Sequence, residues 1–213
     1  MRQDRGTEAA KPFHVKTRQT GGFSYIELLI STAIVMILYV VAFGAGSKFG
    51  QTRRKAACAA NLGQMHMALS LFAAENNDQF PVQPAATSSE APLSELVPRY
   101  TTDTSLFICP GSKHRALPGA QPFADRHISY AYYMGLSRTA PAGAPLVSDA
   151  QVDQNAKRQG DAVFSSAGAA PGNNHRKFGG NVLFVDGHVE SGDNAAIRDL
   201  PIPAGVVLLN PKS

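Results

Sequence analysis

Several sequence features that identify enzymes are absent from this chain. It contains no glycine-rich phosphate-binding loop, no nucleophile elbow and no closely spaced pair of cysteines of the kind that binds zinc. Enzyme activity is therefore not indicated, and we predict that the chain is not an enzyme and needs no cofactor.

Cysteine is also scarce, with only Cys58 and Cys109 among the 213 residues. In an oxidising compartment these two residues could form one disulfide bond. They could equally be two partly buried free thiols, because the sequence supplies no distance between them. The sequence alone is compatible with both states.

Most of the excess positive charge lies at the beginning of the chain. The formal net charge is +4, and residues 1–22 alone carry +3, from five basic and two acidic side chains. Positive charge before an apolar segment is typical of a cytoplasmic N-terminus. The rest of the chain has no basic footprint typical of nucleic-acid binding, so no nucleic-acid partner is predicted. We interpret residues 1–22 as a cytoplasmic leader peptide.

One long apolar run follows the leader. Between Phe23 and Phe43 the only charged residue is Glu27. As a helix this run would extend about 31 Å, which is enough to cross the hydrocarbon core of a bilayer. The sequence therefore predicts a transmembrane helix over 23–43. A carboxylate inside such a helix is costly in lipid, so Glu27 is a candidate functional residue.

An amphipathic helix is predicted over 44–76. Arg53, Arg54 and Lys55 lie at its solvated end, outside the apolar face. Residues at helical spacing form that face: Cys58, Leu62, Met65, Leu69 and Phe72, widened by Met67 and Leu71. Asn77 and Asp78, followed by Pro81, indicate the end of the helix.

The remaining residues, 77–213, are predicted to form a globular head. Asp186-Gly187 between two apolar runs predicts a hairpin with a type I′ turn, with Leu183 and Phe184 on opposite faces of the first strand. The predicted fold is α+β and pilin-like: a long N-terminal transmembrane helix continues into the amphipathic helix, which packs on a small antiparallel sheet. The sheet is expected to be built from short apolar runs separated by loops: Leu93–Val97, Leu106–Cys109, Ile128–Met134, Pro145–Ser148, Asn181–Val185 and His188–Glu190, with Val206–Leu209 as a candidate edge strand.

Histidine and carboxylate side chains can bind metal ions, and four residues of the head carry this chemistry: Asp149, His175, Asp186 and His188. However, Asp186 is sufficiently explained as a turn former, and the side chains that flank a tight turn need not converge. We therefore predict no metal site, and a metal-dependent envelope enzyme is the least favoured hypothesis.

Two parts of the chain resemble known families. The segment from Gly22 to Leu29, Gly-Phe-Ser-Tyr-Ile-Glu-Leu-Leu, resembles the type IV prepilin signal. Several later segments are similar to a second group, the prepilin-type cleavage/methylation proteins that carry a processing-associated H-X9-DG region, a family of unknown function. These segments are Arg53–Cys58, Asn61–Gln64, Phe80-Pro81, Cys109-Pro110, Ser129–Tyr132, Ser148-Asp149 and Asn174–Val189. The chain departs from the H-X9-DG pattern at one point, because ten residues rather than nine separate His175 from Asp186.

The resemblance implies a defined processing route. A prepilin peptidase of the inner membrane would cut between Gly22 and Phe23 on the cytoplasmic side and methylate the new amine of Phe23. Glu27 would then neutralise such an amine on a neighbouring subunit. The implied partners are the prepilin peptidase, the inner membrane and other pilin or pseudopilin subunits, in a homo- or hetero-oligomeric filament.

Two functions follow from these expectations. The first is a structural subunit of a pilin-like or pseudopilin filament, related to type II secretion or the type IV pilus. It would be a single-pass protein of the inner membrane, with a cytoplasmic N-terminus and a periplasmic or extracellular head. The alternative is a membrane-anchored periplasmic or cell-surface module that uses the prepilin-type signal for sorting and binds an envelope polysaccharide or protein.

Overall fold

A computed structural model describes residues 24–44, 46–115, 117–123 and 125–212. The leader, with Gly22 and the adjacent Phe23, therefore lies outside the described residues. The chain divides into two compact units, and the boundary between them lies between Ala45 and Gly46.

Helix α1, Tyr25–Gly44, corrects the prediction made for the apolar run. The helix begins two residues later than the predicted span. Ser24 lies before it, and the Ser24 carbonyl accepts hydrogen bonds from the N–H groups of Glu27 and Leu28, at 2.9 and 3.1 Å. No helix in the described part of the chain is both long and apolar enough to cross a membrane. The prediction of a transmembrane helix over 23–43 is therefore wrong.

The predicted amphipathic helix is present as α2, Gly46–Glu75. Cys58, Leu62, Met65 and Leu69 are fully buried, so the apolar face is confirmed. Phe72 packs against this core from a partly buried position. The proposed widening of the face is wrong: Met67 is 60% exposed and Leu71 is 57% exposed. Each follows a buried residue by two positions, which turns its side chain about 200° around the helix and away from the core.

The end of α2 was predicted correctly. Asn77 and Asp78 both have positive φ angles, 54° and 61°, which a helix cannot continue through. The N–H of Asp78 bonds back to the carbonyl of Ala73 at 2.9 Å. The Asn76 side chain donates to the carbonyl of Phe72 at 2.7 Å, so helix-end carbonyls find partners.

The predicted antiparallel sheet is present, and in the described part of the chain it has five strands. The strand order is β4-β3-β2-β1-β5, and β5 lies at an edge, which confirms the candidate C-terminal edge strand. The strands are β1 Tyr130–Met134, β2 Pro145–Asp149, β3 Gly180–Phe184, β4 Val189–Gly192 and β5 Val207–Leu209.

Two apolar runs that were expected in the sheet form short helices instead. The run Leu93–Val97 overlaps α3, Glu90–Ser94, and Leu106–Cys109 overlaps a 3₁₀ helix, Thr104–Phe107. Asp103 caps the 3₁₀ helix, because its carboxylate accepts a hydrogen bond from the N–H of Ser105 at 2.9 Å. Local capping therefore selects a helical turn where the apolar pattern alone favoured a strand.

The Asp186-Gly187 hairpin joins β3 to β4, but its turn differs from the predicted type I′. Gly187 has a positive φ of 90°, whereas Asp186 does not. The N–H of Gly187 bonds to the carbonyl of Phe184 at 2.9 Å, and the N–H of Phe184 bonds to the carbonyl of His188 at 3.0 Å. These bonds describe a three-residue loop in which a glycine with positive φ follows a tight turn. Position 187 also has no room for a side chain, because a Cβ there would lie 2.8 Å from the ring of His66.

Both faces of strand β3, which lies between β4 and β2, are covered. Leu183 belongs to the main core, which includes the buried face of α2. Phe184 lies in a second, smaller core together with Val182 and Phe164, so the prediction that Leu183 and Phe184 occupy opposite faces is confirmed. Strand β1 is also buried along its whole length.

Candidate functional site

Four buried side chains converge in the head, and we call them the four-residue cluster: Cys58, Cys109, Asp149 and His175. Helix α2 supplies Cys58, and Cys109 follows the 3₁₀ helix after one residue. Asp149 ends strand β2, and His175 lies in the loop before β3. None of the four is more than 1% exposed. Distant parts of the sequence thus bring four reactive side chains into one dry site.

The two cysteines form a disulfide bond, with their Cα atoms 5.2 Å apart. This separation lies within the usual range for such bonds. The bond ties α2 to the segment after the 3₁₀ helix across 51 positions of sequence. It therefore closes a long loop and fixes one wall of the cluster.

His175 lies between a sulfur atom and a carboxylate. Its Nε2 atom is 3.3 Å from Sγ of Cys109 and 3.3 Å from Oδ2 of Asp149. Gly111 packs against the other side of the ring, where a Cβ would come within 2.5 Å of Nδ1. A larger residue at position 111 would displace the ring, so the missing side chain of Gly111 is part of the site.

Two asparagines hold the carboxylate of Asp149 in place. The side-chain amide of Asn174 donates to Oδ1 at 2.8 Å. Asn181 donates to Oδ2 twice, from its backbone N–H at 2.8 Å and from its side-chain amide at 3.0 Å. Three hydrogen bonds compensate for the loss of water around this buried group. The carboxylate of Asp149 is therefore held in a fixed position.

The structure brings together only two of the four residues considered as metal ligands from the sequence. Asp149 and His175 meet, but their neighbours are the cysteines rather than Asp186 and His188. Sequence reasoning treated the cysteines only as a candidate disulfide, since they are 51 positions apart and do not form a recognisable ligand pair. Their proximity to the other two residues depends on the packing of α2 against the sheet.

Asp186 and His188 form a separate pair on the hairpin turn. The His188 ring lies 2.5 Å from the Asp186 carboxylate and stacks on Phe184, with ring centroids 4.3 Å apart. Slight burial favours a higher Asp186 pKa, but hydrogen bonds from the backbone and ring of His188 outweigh it and hold the pKa below its ordinary value. This pair stabilises the turn, in agreement with the role expected for Asp186.

A second feature of the head is a cavity of about 630 Å³ with basic side chains in its lining. Arg54, Lys113, His114 and Arg176 contribute to it. Partial burial, reinforced by the nearby ring of His127, lowers the pKa of His114. The sequence analysis missed this cavity, because its basic residues come from three separate segments of the chain.

Helix α1 presents a different kind of surface. Its side chains from Tyr25 to Val40 are exposed, and Glu27 in its first turn is the only acid among them. The proposed cleavage residues, Gly22 and Phe23, lie outside the described residues, so the structure gives no geometry for that step.

Comparisons of the chain with protein-family models, with curated proteins and with solved structures found no match. Its function therefore has to be inferred from its residues and their geometry.

Proposed function

We propose that this protein is a structural subunit of a pilin-like or pseudopilin filament, related to type II secretion or the type IV pilus. Prepilin peptidase would process it between Gly22 and Phe23. Other subunits, identical or related, would be its partners in the filament. The head would lie on the periplasmic or extracellular side of the envelope.

The observation that carries this proposal is the surface of α1. Between Tyr25 and Val40 its large apolar side chains are exposed, from 51% at Leu29 to 76% at Tyr25. Burying one such side chain contributes about 1.5–3 kcal/mol. A surface of this kind is unfavourable in water and needs a partner. The same helix on neighbouring copies provides apolar surfaces of matching chemistry, which favours a bundle of α1 helices at the centre of a filament.

Glu27 would set the position of each subunit in that bundle. It lies in the first turn of α1 and is the fifth residue after the proposed cleavage point. Cleavage would create a positively charged amine on Phe23, and a carboxylate on a neighbouring helix would neutralise it. A mispositioned subunit would leave the amine and the carboxylate unpaired among apolar helices. Because unpaired buried charges are strongly destabilising, the correct position of the subunit is favoured.

The proposal is tested with Glu27→Gln, which removes the charge and keeps the size of the side chain. Cells that assemble the wild-type protein should produce normal amounts of the variant but incorporate little of it into sheared filaments. Asp125→Asn is the matched control, because it also removes one exposed acid, and Asp125 lies in the other unit. Equal recovery of Glu27→Gln and wild type in filaments would refute the role assigned to Glu27.

The cavity lined by Arg54, Lys113 and Arg176 favours a second candidate function, a binding module for an acidic envelope polysaccharide. Several cationic side chains around an open volume are suited to a chain of carboxylate or sulfate groups. The two functions predict different phenotypes. If the protein is a polysaccharide-binding module, the double variant Arg54→Gln/Arg176→Gln should lose salt-sensitive binding of the polysaccharide. Glu27→Gln should then have no effect on filament assembly.

A further inference from the structure

We propose that the four-residue cluster binds one zinc ion when the Cys58–Cys109 disulfide is reduced. The inference does not depend on the proposed filament function. It concerns a site in the head, where two thiolates, one imidazole and one carboxylate become available together.

The distances around His175 match a tetrahedral zinc site. Zinc binds nitrogen and oxygen at about 2.0–2.1 Å and sulfur at about 2.3 Å, so tetrahedral N···O and N···S separations are about 3.3 and 3.6 Å. The corresponding distances from His175 Nε2 are 3.3 Å to Asp149 Oδ2 and 3.3 Å to Cys109 Sγ. All four potential ligand atoms lie within 4.8 Å of one another. Once reduced, the two sulfurs would move apart to about 3.8 Å around the ion.

The surroundings of Asp149 resemble the outer shell of a metal site. Outer-shell hydrogen bonds orient the ligands of metal sites. Asn174 holds one carboxylate oxygen, and Asn181 holds the other. The side-chain amide of Asn181 also donates to the carbonyl of Lys55 at 3.0 Å, so it can release Oδ2 to a metal and keep a partner.

The ligand set selects the class of metal. Thiolate and imidazole ligands favour zinc and other borderline or soft ions. Calcium and magnesium need six or more oxygen ligands, which this buried site does not offer. A closed site with four protein ligands is typical of structural zinc. Zinc is therefore the metal that best fits the cluster.

Reduction of the Cys58–Cys109 bond and binding of zinc are two separate steps. A dithiol reductant transfers two electrons and two protons to the Cys58–Cys109 bond by thiol–disulfide exchange, and leaves as its own disulfide. Zinc then displaces the two thiol protons, and its bonds to Cys58 and Cys109 replace the sulfur–sulfur bond. In the reverse direction, a disulfide oxidant would accept two electrons from the thiolates and two protons from water and leave as its dithiol, while the Cys58–Cys109 bond forms and Zn²⁺ is released. The disulfide and the zinc ion are therefore alternative states of one site.

The test uses the full-length chain, reduced with a trialkylphosphine and handled without oxygen. We expect one equivalent of Zn²⁺ to bind the reduced chain, and none to bind the cluster of the oxidised chain. Bound Zn²⁺ should protect both thiols from alkylation. Co²⁺, which replaces zinc and is visible, should give thiolate-to-cobalt charge-transfer bands and the intense visible bands of tetrahedral coordination.

Variants distinguish zinc binding at the four-residue cluster from zinc binding elsewhere on the chain. Loss of an outer-shell group weakens metal affinity about 10–100-fold, so Cys58→Ser and Asp149→Asn, which remove direct ligands, should weaken it at least as much. Asp186→Asn is the matched control, because that carboxylate belongs to the exposed hairpin pair, and it should leave affinity unchanged. The proposal is overturned if the reduced wild-type chain binds no stoichiometric zinc, or if bound Co²⁺ lacks thiolate bands. Undiminished affinity in Cys58→Ser would also overturn it. The wild-type Co²⁺ spectrum decides the question even if a variant fails to fold.

Discussion

Reduction of the Cys58–Cys109 disulfide should lower the free energy of unfolding of the head by about 4 kcal/mol. The bond closes a loop across 51 positions, and chain-entropy theory gives about 14 cal/mol/K, or about 4 kcal/mol at 25 °C, for a loop of this length. Both cysteines are buried, and reduction removes no atoms from the core. Loss of the cross-link in the unfolded chain is therefore the main physical change.

This loss is large on the scale of domain stability, which is typically about 5–15 kcal/mol. Urea unfolding of the oxidised and reduced chain, followed by far-UV circular dichroism, measures it. With a slope of about 2 kcal/mol/M, the midpoint should fall by about 2 M on reduction. A chelator must be present throughout, because zinc bound to the reduced cluster would restore part of the lost stability.

The double variant Cys58→Ala/Cys109→Ala is the control, since its midpoint should not respond to reductant. A fall of less than about 0.5 M in the wild-type protein would contradict the reasoning, because loop-closure entropy would then contribute little to stability.

Three further predictions concern other parts of the head. Leu62→Ala, at a fully buried position of α2, should cost about 2–5 kcal/mol in urea unfolding, whereas Leu71→Ala, at an exposed position of the same helix, should cost less than about 0.5 kcal/mol. NMR titration should give His114 a pKa below 6.5, because burial and the charge of His127 disfavour its protonation, and His127→Gln should raise that pKa. The pKa of His114 is lower in the folded than in the unfolded chain. The contribution of His114 to the free energy of unfolding is therefore complete above pH 6.5 and is lost as the pH falls from 6.5 towards the folded pKa. A free energy of unfolding that does not change with pH in this range would contradict the prediction. Gly187→Ala should lower the thermal midpoint, because alanine is strained at a φ of 90° and its Cβ would meet His66; an unchanged midpoint would show that the turn can adjust.

Local patterns predicted α2 and the β3–β4 hairpin correctly. The buried face from Cys58 to Leu69 repeats at helical spacing, and a glycine between two apolar runs indicates a turn whatever the tertiary fold. Predictions of secondary structure failed where a contact with a residue outside the apolar run determines the conformation. Leu106 lies in an apolar run that suits a strand, but the cap from Asp103 begins a 3₁₀ helix there.

The prediction for the apolar run was wrong in a different respect. The segment forms helix α1, Tyr25–Gly44, but no helix in the described part of the chain is both long and apolar enough to cross a membrane. An apolar run of this length makes a segment a candidate for a membrane span, and the sequence pattern alone does not decide the outcome.

The four-residue cluster was only half visible in the sequence. Asp149 and His175 were candidates because of their chemistry, but nothing connected them to Cys58 and Cys109. The connection depends on α2 packing against the sheet, and no short motif encodes it. The fixing of Asp149 by Asn174 and Asn181 was also invisible, because asparagine is common in loops for unrelated reasons.

Mass spectrometry of the N-terminus is the most direct test of the filament proposal. The protein should be isolated from cells that contain the prepilin peptidase, and its N-terminal peptide sequenced. We predict that the mature chain begins with N-methylated Phe23. An intact Met1, or a chain that begins after Ala45, would contradict the proposal.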